Sequence, residues 1–294
     1  MSSVSDHPLT SRIVAELQLA RSKLERALSP RSRLFPAVRA FMRMEQRLKR
    51  PLRLAICGEY NSGKSSLANL LGGIESLPTA AISNTRIPTL LYHAPEPEIW
   101  AVRDGPGRRV RVRADQNTLP QSVFRLEVGL PPQQLRAIEI LDFPGLPAPG
   151  HVDLALHAVD AALWCTVSTQ AWKESERRAW NELPARLRCC GLLVSTHADL
   201  LADPRDRERL LARLHRECDS MFRDILMVST VEAITLMRDD QRAPAEAAWQ
   251  SSGADALDAA LAALIARARD RRAETALRVI GRITHRALSQ MQEP

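Results

Sequence analysis

The segment that most constrains the fold of this chain is the loop Gly58-Glu59-Tyr60-Asn61-Ser62-Gly63-Lys64-Ser65. An apolar run at 52–57 precedes the loop and a helix-forming run at 66–71 follows it, which predicts the order strand, glycine loop, helix. Gly58 and Gly63 allow backbone angles that turn successive N–H groups inward, and the helix N-terminus adds its positive dipole end. The loop is therefore typical of the phosphate-binding loop (P-loop) of nucleoside triphosphatases.

The P-loop and a second short motif indicate the chemistry of this site. We expect every residue from Gly58 to Ser66 to contact the nucleotide, with Lys64 reaching the β- and γ-phosphates and the Ser65 hydroxyl binding Mg²⁺. The second motif, Asp142-Phe143-Pro144-Gly145, follows the apolar run 137–141. Asp142 is placed to hold Mg²⁺ through water, and the Gly145 N–H to contact the γ-phosphate and release it after hydrolysis.

The polar segment 77–89 lies between these motifs and directly before a predicted strand, where a switch segment is expected. A threonine in such a segment can close on Mg²⁺ when the γ-phosphate is present and let go afterwards. We choose Thr85 for that role. The alternative is an ordinary surface loop with several threonines.

The segment Thr196-His197-Ala198-Asp199 follows the predicted strand 190–195 and indicates recognition of a base. A carboxylate at Asp199 can accept hydrogen bonds from both N1–H and the exocyclic amine of guanine, whereas adenine offers no such donor pair. We therefore expect GTP and GDP as ligands rather than ATP. His197 stands where the usual motif has Lys, and it either stacks on the base or is a neutral replacement. Ser229 directly follows the last predicted strand, where a backbone N–H is expected to contact the guanine oxygen.

The rest of the chain alternates short apolar runs with helical stretches, which predicts an α/β fold with a mostly parallel sheet and helices on both faces. The strands are predicted at 52–57, 89–94, 98–103, 108–114, 137–141, 161–167, 190–195 and 225–228, and the helices between them near 151–159, 173–188 and 203–221. Helical spacing of apolar residues at 10–29, 34–51, 257–268 and 277–287 predicts a small bundle built from both ends of the chain. We expect N-terminal helices at 1–50, a GTPase domain at 51–235 and C-terminal helices at 236–294.

The positive charge of the chain is concentrated near its start. Residues 1–50 hold 11 Lys or Arg and four Asp or Glu, which equals the whole formal charge of +7. This segment could meet an anionic lipid surface, RNA or an acidic partner. Because Arg supplies nearly all of the positive charge throughout the chain, we favour a solvated basic face.

The cysteines and the hydropathy pattern indicate a cytoplasmic protein. The five cysteines lack C-x-x-C spacing and lie mostly in apolar runs, as reduced core thiols do. No apolar run approaches the ~20 residues needed to cross a bilayer. We therefore expect any membrane contact to be peripheral, at the inner face.

Taken together, these residues resemble the GTPase domain of bacterial dynamin-like proteins. The resemblance covers about residues 50–235 and rests on the P-loop, Leu77-Pro78-Thr79 with Thr85, the Asp142-Phe143-Pro144-Gly145 turn, and Thr169-Gln170-Ala171-Trp172-Lys173-Glu174-Ser175-Glu176. It implies GTP hydrolysis, nucleotide-dependent dimerisation across the GTPase face and membrane remodelling through long helical stalks. About 110 residues lie outside the GTPase core, too few for a long stalk and a lipid-binding paddle, so we expect a reduced, single-domain relative.

In Ras-type enzymes a glutamine orients the water that attacks the γ-phosphate. In this chain Leu146 occupies the corresponding position. In GTPases that use a monovalent cation, an asparagine at the P-loop position of Asn61 helps to ligate K⁺ near the phosphates. We hypothesise this role for Asn61, which joins Lys64, Thr85 and Gly145 as a catalytic candidate. Arg86 is an alternative source of positive charge, or a plain surface residue.

Residues around Trp172 are interpreted as structural. Glu174, Glu176 and Glu182 fit the exposed face of a helix, whereas Trp172 is expected to cover the nucleotide crevice from a loop. Two other functions stay open beside a GTPase that dimerises with itself or with a related GTPase. One is a ribosome- or RNA-associated GTPase whose basic helices touch RNA, and the other is a nucleotide-dependent scaffold with negligible turnover.

Overall fold

The computed structural model describes residues 8–27, 35–77, 87–103, 109–113, 122–145, 158–238 and 246–292. The chain divides into two compact units, residues 1–52 with 265–294 and residues 53–264. The predicted domain limits 50/51 and 235/236 stay a prediction.

The larger unit is built on one sheet. Its strands are β1 (Leu52–Gly58), β2 (Thr89–His93), β3 (Glu98–Arg103), β4 (Arg109–Val112), β5 (Val123–Leu130), β6 (Ile138–Asp142), β7 (Ala161–Val167), β8 (Leu192–Thr196) and β9 (Asp224–Met227). The strand order is β4-β3-β5-β2-β6-β1-β7-β8-β9. β7 pairs in parallel with β1 and β8, β8 with β9, and β2 with β5. β2 runs antiparallel to β6, and β3 to both β4 and β5. The predicted α/β fold with a mostly parallel sheet is confirmed.

The central strands are apolar because both of their faces are covered. Every residue of β8 is buried, as is every residue of β7 except the last. Continuous apolar runs of this kind are typical of parallel strands between two helical layers, which is why they could be located from sequence. β5 was missed, since its Arg125 and Glu127 interrupt the apolar pattern.

The helices of the described residues are α1 (Pro8–Ala27), α2 (Phe35–Lys49), α3 (Lys64–Gly72), α4 (Glu174–Glu182), α5 (Ala185–Arg188), α6 (Pro204–Cys218), α7 (Thr230–Arg238), α8 (Glu246–Ser251) and α9 (Ala254–Gln292). The single helix predicted at 173–188 is two helices, α4 and α5, because Pro184 interrupts the backbone hydrogen bonding. The two predicted C-terminal helical stretches lie in one helix, α9. Within the described ranges, no helix combines the length and the apolar character needed to cross a bilayer.

The smaller unit is the predicted helical bundle. α1, α2 and the later part of α9 share an apolar cluster made of Ile13, Leu17, Phe41, Leu48, Ala273 and Ala276. The buried guanidinium of Arg272 donates to the carbonyl oxygens of Arg47, Arg50 and Pro51 at 2.8, 2.8 and 3.0 Å. The two ends of the chain therefore meet in one small bundle, as the apolar periodicity predicted.

Candidate nucleotide-binding site

The P-loop joins β1 to α3 through backbone angles that favour glycine. Gly63 is the N-cap residue of α3 with φ 77°, and Gly58 has φ 145°. A Cβ on Gly58 would lie 2.3 Å from the carbonyl oxygen of Cys165 in β7, so only glycine lets the loop leave the sheet here. Asn61 also adopts a positive φ, of 59°, and its side chain is exposed.

Lys64 is buried although it carries an ammonium group. Its side chain is 7% exposed, and Nζ donates to the backbone carbonyl of Glu59. Burial lowers the pKa of Lys64, while the neighbouring Cys165 and Asp142 act in the opposite direction. No carboxylate among the described residues lies within ion-pair distance of Nζ. A buried cation of this kind is suited to an incoming anion.

Ser65 and Asp142 form a pair of oxygen donors next to Lys64. The Ser65 hydroxyl donates to Asp142 Oδ2 at 2.7 Å, whereas Asp142 Oδ1 is buried and has no hydrogen-bond partner among the described residues. Burial raises the pKa of Asp142 to about 6, and the Ser65 hydrogen bond and Lys64 oppose that rise. Mg²⁺ prefers hard oxygen ligands and is commonly held through one or two side chains plus phosphate oxygens. The pair fits such an ion, because the orphaned oxygen of Asp142 needs a positive partner.

One cavity of about 400 Å³ brings four distant parts of the chain together. It is lined by residues 60–66, by residues 142–145, by His197, and by Leu77, Ile87 and Thr89 at the two edges of the predicted switch segment. Gly145 has φ 67° and lies at this cavity, where a Cβ on it would meet no atom of the described residues within 4 Å. The predicted phosphate, metal and γ-phosphate contacts thus share one opening.

The segment after β8 packs against the P-loop. Thr196 Oγ1 donates to the carbonyl of Ser62 at 2.8 Å, and His197 Nδ1 lies 2.9 Å from Thr196 Oγ1. His197 has φ 57°, and its Cε1 would be 3.2 Å from a Cβ on Gly63. His197 therefore lies against the P-loop.

Asp199 and Ser229 meet beside this segment. The Ser229 hydroxyl donates to Asp199 Oδ1 at 3.0 Å, while Asp199 remains half-buried. The N–H of Ser229 donates to the carbonyl of Ser252 at 2.9 Å. In this arrangement that N–H already has an acceptor, so the predicted contact from Ser229 to a guanine oxygen needs the hydroxyl or a shift of the loop.

Some residues with predicted roles lie outside the described residues. They are Thr85, Arg86 and Leu146, and the roles given to them stay predictions.

Two structural expectations were wrong. Glu176 is 2% exposed rather than surface-facing, and it accepts hydrogen bonds from Thr166 Oγ1 and the Lys173 N–H, each at 2.9 Å. Trp172 is 8% exposed and packs edge-on against Phe222, with ring centroids 5.1 Å apart, so it belongs to the core and does not cover the crevice. Periodicity alone missed both, because the hydrogen bonds to Thr166 turn this segment inward.

A contact from α4 to the P-loop was not predicted at all. Lys173 Nζ lies 2.9 Å from Glu59 Oε2, and the Ser175 hydroxyl donates to Glu59 Oε1 at 2.5 Å. A glutamate three residues after the helix N-cap, Glu176, is a capping-box signal that could have placed the start of α4. No local signal could have paired that helix start with Glu59.

The comparisons with known proteins point in one direction. No family model matches the chain. The Isoniazid-induced protein IniC of Mycobacterium tuberculosis is 37% identical over 112 residues, which are 35% of this chain and 22% of that protein. Dynamin-like protein 2 of Campylobacter jejuni is 31% identical over 142 residues, 45% of this chain and 23% of that protein. The chain therefore matches less than a quarter of the length of either curated relative.

Two solved structures of an oligomerised bacterial dynamin pair match most of this chain. The match to the first has a TM-score of 0.61 at 18% sequence identity and covers 97% of this chain and 56% of the solved chain. The match to the second has a TM-score of 0.59 at 20% sequence identity and covers 89% of this chain and 42% of the solved chain. These matches confirm the resemblance to bacterial dynamin-like proteins, and the chain has the P-loop GTPase fold of that family.

Proposed function

We propose that this chain binds GTP with Mg²⁺ and hydrolyses GTP to GDP and phosphate. The observation that carries the proposal is the cavity in which the buried ammonium of Lys64 adjoins the Ser65–Asp142 oxygen pair. Both ionisable groups are buried, which disfavours their charged forms, and a triphosphate with its metal would supply the opposite charges that these groups need.

Each residue of the cavity has a role in this proposal. Lys64 would exchange the Glu59 carbonyl for phosphate oxygens, and the N–H groups of the P-loop would hold the phosphates. Ser65 and Asp142, with Thr85 from the switch segment, would hold Mg²⁺, which neutralises charge on the β- and γ-phosphate oxygens when it is bound. Gly145 would contact the γ-phosphate.

The charge compensator for hydrolysis is assigned to Asn61, acting on K⁺. Its side chain is exposed and lines the cavity, and its φ is positive. Rates measured in KCl and in NaCl test this assignment with Asn61→Ala as the variant. We expect faster turnover in KCl and loss of that difference in the variant. Equal rates in both salts would contradict the assignment, and Arg86 would then be the alternative source of positive charge to test.

The preference for guanine is assigned to Asp199. Guanine presents N1–H and an amine to a carboxylate, whereas xanthine presents a carbonyl at the position of the amine. Asp199→Asn should therefore weaken GTP binding and improve XTP binding, which competition against a fluorescent GDP measures. Glu246→Gln, on the exposed first turn of α8, is the matched control. A variant that keeps its preference for GTP would contradict the assignment.

GTP turnover against protein concentration tests the reaction and the state of assembly together. We expect Lys64→Ala to abolish turnover and Lys23→Ala, on an exposed side chain of α1, to leave it unchanged.

We also propose nucleotide-dependent self-association, supported by the oligomerised dynamin pair that shares the fold. A rate per molecule that rises with concentration supports it, and a flat rate argues for a simple switch. Tight binding without turnover would instead favour a scaffold.

The location that fits this proposal is the cytoplasm, with peripheral contact at the inner face of the membrane. The relative with the shared fold is described as sensing and tethering membranes. Pelleting with anionic liposomes, with and without GTP, tests the contact. Salt-sensitive pelleting with RNA in place of liposomes would favour the RNA-associated alternative.

A further inference from the structure

Two residues at the start of α4 form hydrogen bonds to the P-loop from outside the cavity. We call Glu59, Lys173 and Ser175 the clamp. Both carboxylate oxygens of Glu59 are engaged, Oε2 by Lys173 Nζ at 2.9 Å and Oε1 by the Ser175 hydroxyl at 2.5 Å. Glu59 directly follows Gly58, the residue at which the chain leaves β1. The clamp therefore holds the first turn of the loop.

Buried hydrogen bonds to β7 hold the backbone that carries the clamp residue Lys173. Glu176 is buried and accepts hydrogen bonds from the Lys173 N–H and from Thr166 Oγ1. Thr166 Oγ1 in turn accepts from the Trp172 N–H at 3.0 Å, and Trp172 packs into the core. Because the backbone on both sides of Lys173 is anchored to β7, the donors to Glu59 do not depend on a loose loop.

The remainder of the loop has fewer ties. Tyr60 is 76% exposed and Asn61 is exposed, whereas the far end is held by the hydrogen bond from Thr196 to the Ser62 carbonyl. The Glu59 carbonyl also accepts from Lys64 Nζ and from the Ser62 N–H. Movement at Glu59 would therefore be transmitted to the phosphate-binding lysine and to the N–H groups that follow.

The charge of Glu59 gives the clamp a second effect. A glutamate carboxylate is ionised at neutral pH, and Glu59 is adjacent in the chain to the loop residues that line the cavity. An ionised carboxylate next to a phosphate site repels the ligand unless a cation neutralises it. Lys173 supplies that cation.

We propose that Lys173 and Ser175 are positioning residues that hold the P-loop through Glu59 and so raise its affinity for nucleotide phosphates. A loop already ordered before binding loses less conformational entropy when the ligand arrives. The inference deepens the proposed function and rests on it. Neither residue lines the cavity that holds Lys64 and Asp142, so neither is a catalytic residue.

Nucleotide affinity is the first readout. Lys173→Met and Ser175→Ala should each raise the Kd for GDP about two- to fivefold, in the range expected for partly exposed charged contacts, and the double variant about tenfold. Lys173→Arg, which keeps the cation, should stay within about twofold of the wild type. Arg178→Met on an exposed side chain of α4 is the control and should bind GDP as the wild type does.

A double-mutant cycle separates this role from general loss of structure. In a Glu59→Gln background, Lys173→Met should have no further effect on Kd. An equal loss of affinity in both backgrounds would show that Lys173 acts elsewhere, and a double clamp variant with wild-type affinity would overturn the inference outright.

Hydrogen exchange of the nucleotide-free protein gives a readout that does not require turnover or binding. The amides of 58–63 should exchange faster in the double clamp variant, while those of β8 stay protected. Unchanged exchange in 58–63 would refute the clamp. A wild-type protein that binds no guanine nucleotide would refute the proposed function, and the exchange result would still report on the hold exerted by the clamp.

Discussion

Lys64 and Asp142 are ionisable side chains in surroundings that disfavour their charged forms. Burial lowers the pKa of Lys64 and raises that of Asp142 to about 6. A structural ion pair would relieve both, but Lys64 donates to a carbonyl, and one Asp142 oxygen has no partner among the described residues. Perturbed groups that converge on a cavity are typical of functional sites, and here they imply stability given up for binding.

The substitution Asp142→Asn tests, at a single residue, whether stability is given up for ligand binding. The substitution removes a buried charge, so the nucleotide-free protein should gain about 1 to 3 kcal/mol of stability at pH 8 while Mg²⁺-dependent turnover is lost. Because the folded-state pKa is raised, the penalty in the wild type is present above about pH 6 and fades as pH falls from there towards 4. Denaturant unfolding at pH 8 and at about pH 4.5 measures the difference.

The control for this prediction is Asp219→Asn, at an exposed position after α6. It should change stability by less than about 0.5 kcal/mol at either pH. A destabilised Asp142→Asn protein at pH 8 would contradict the argument.

At the scale of one element, α4 begins where its side chains meet β7. Glu176 satisfies the Lys173 N–H and the Thr166 hydroxyl, and its other oxygen lies 3.3 Å from Trp164 Nε1. The capping interaction and the buried contacts therefore come from the same carboxylate. This explains how a helix with mostly charged residues has a defined start and a defined orientation on the sheet.

Glu176→Ala should destabilise the larger unit by about 2 to 4 kcal/mol, since it leaves buried donors without an acceptor. Glu174→Ala, two residues earlier and 64% exposed, is the matched control with an expected loss below about 0.5 kcal/mol. Chemical unfolding followed by tryptophan fluorescence suits the measurement, because Trp164, Trp172 and Trp180 pack together in this core. Similar losses in the two variants would contradict the structural role of Glu176.

In the bundle, Glu45 of α2 is the corresponding buried acid. It accepts from Lys49 Nζ and Gln18 Nε2, both at 2.6 Å, and from Arg21 at 3.0 Å, which ties α2 to α1. The hydrogen bond from Lys49 and then that from Gln18 hold the pKa of Glu45 below its ordinary value of 4.5. A lowered pKa stabilises the folded state above the unfolded-state value, and this contribution is lost as pH falls through the folded-state pKa.

Glu45→Gln should therefore cost about 1 to 2 kcal/mol at pH 7, and the difference from wild type should shrink below about pH 4. Helical circular dichroism during thermal unfolding measures it. Glu16→Gln, in an exposed i,i+4 pair with Arg12, is the control. A difference that stays constant from about pH 7 to about pH 3.5 would show that the charge of Glu45 is not the cause.

At the scale of the whole molecule, α2 and the later part of α9 pack together although they lie far apart in the sequence. Arg272 lies more than 220 residues after the carbonyl groups that it binds at the end of α2. The last carbonyls of a helix lack partners within the helix, and a planar guanidinium can serve several at once. Arg272 thus caps α2 from α9.

Arg272→Met should cost the bundle about 2 to 4 kcal/mol, because three carbonyl groups lose a charged donor. Arg272→Lys should recover only part of this, since an ammonium lacks the fork geometry. Arg278→Met, on an exposed side chain of α9, is the control. Hydrogen exchange of α2 gives the local readout, and equal exchange in the Arg272 and Arg278 variants would contradict the capping role.

The features that could be predicted from sequence are those that depend on neighbours along the chain. The Gly58 to Ser65 loop, the turn that begins at Asp142 and the apolar strands each depend on local backbone angles or burial periodicity, and all of them are where the pattern indicated. β5 was missed because Arg125 and Glu127, which pair with each other along this strand, interrupt its apolar pattern.

The succession of a strand, a phosphate loop and a helix is specified locally, because glycine angles and apolar periodicity act over a few residues. The inward turn of Glu176, the place of Trp172 in the core and the reach of Lys173 to Glu59 emerge only from the folded chain. Those partners lie on different strands and helices, and the contacts form only when strand order brings β1 beside β7. Pairing at that distance depends on the packing of the whole sheet, which no local pattern records.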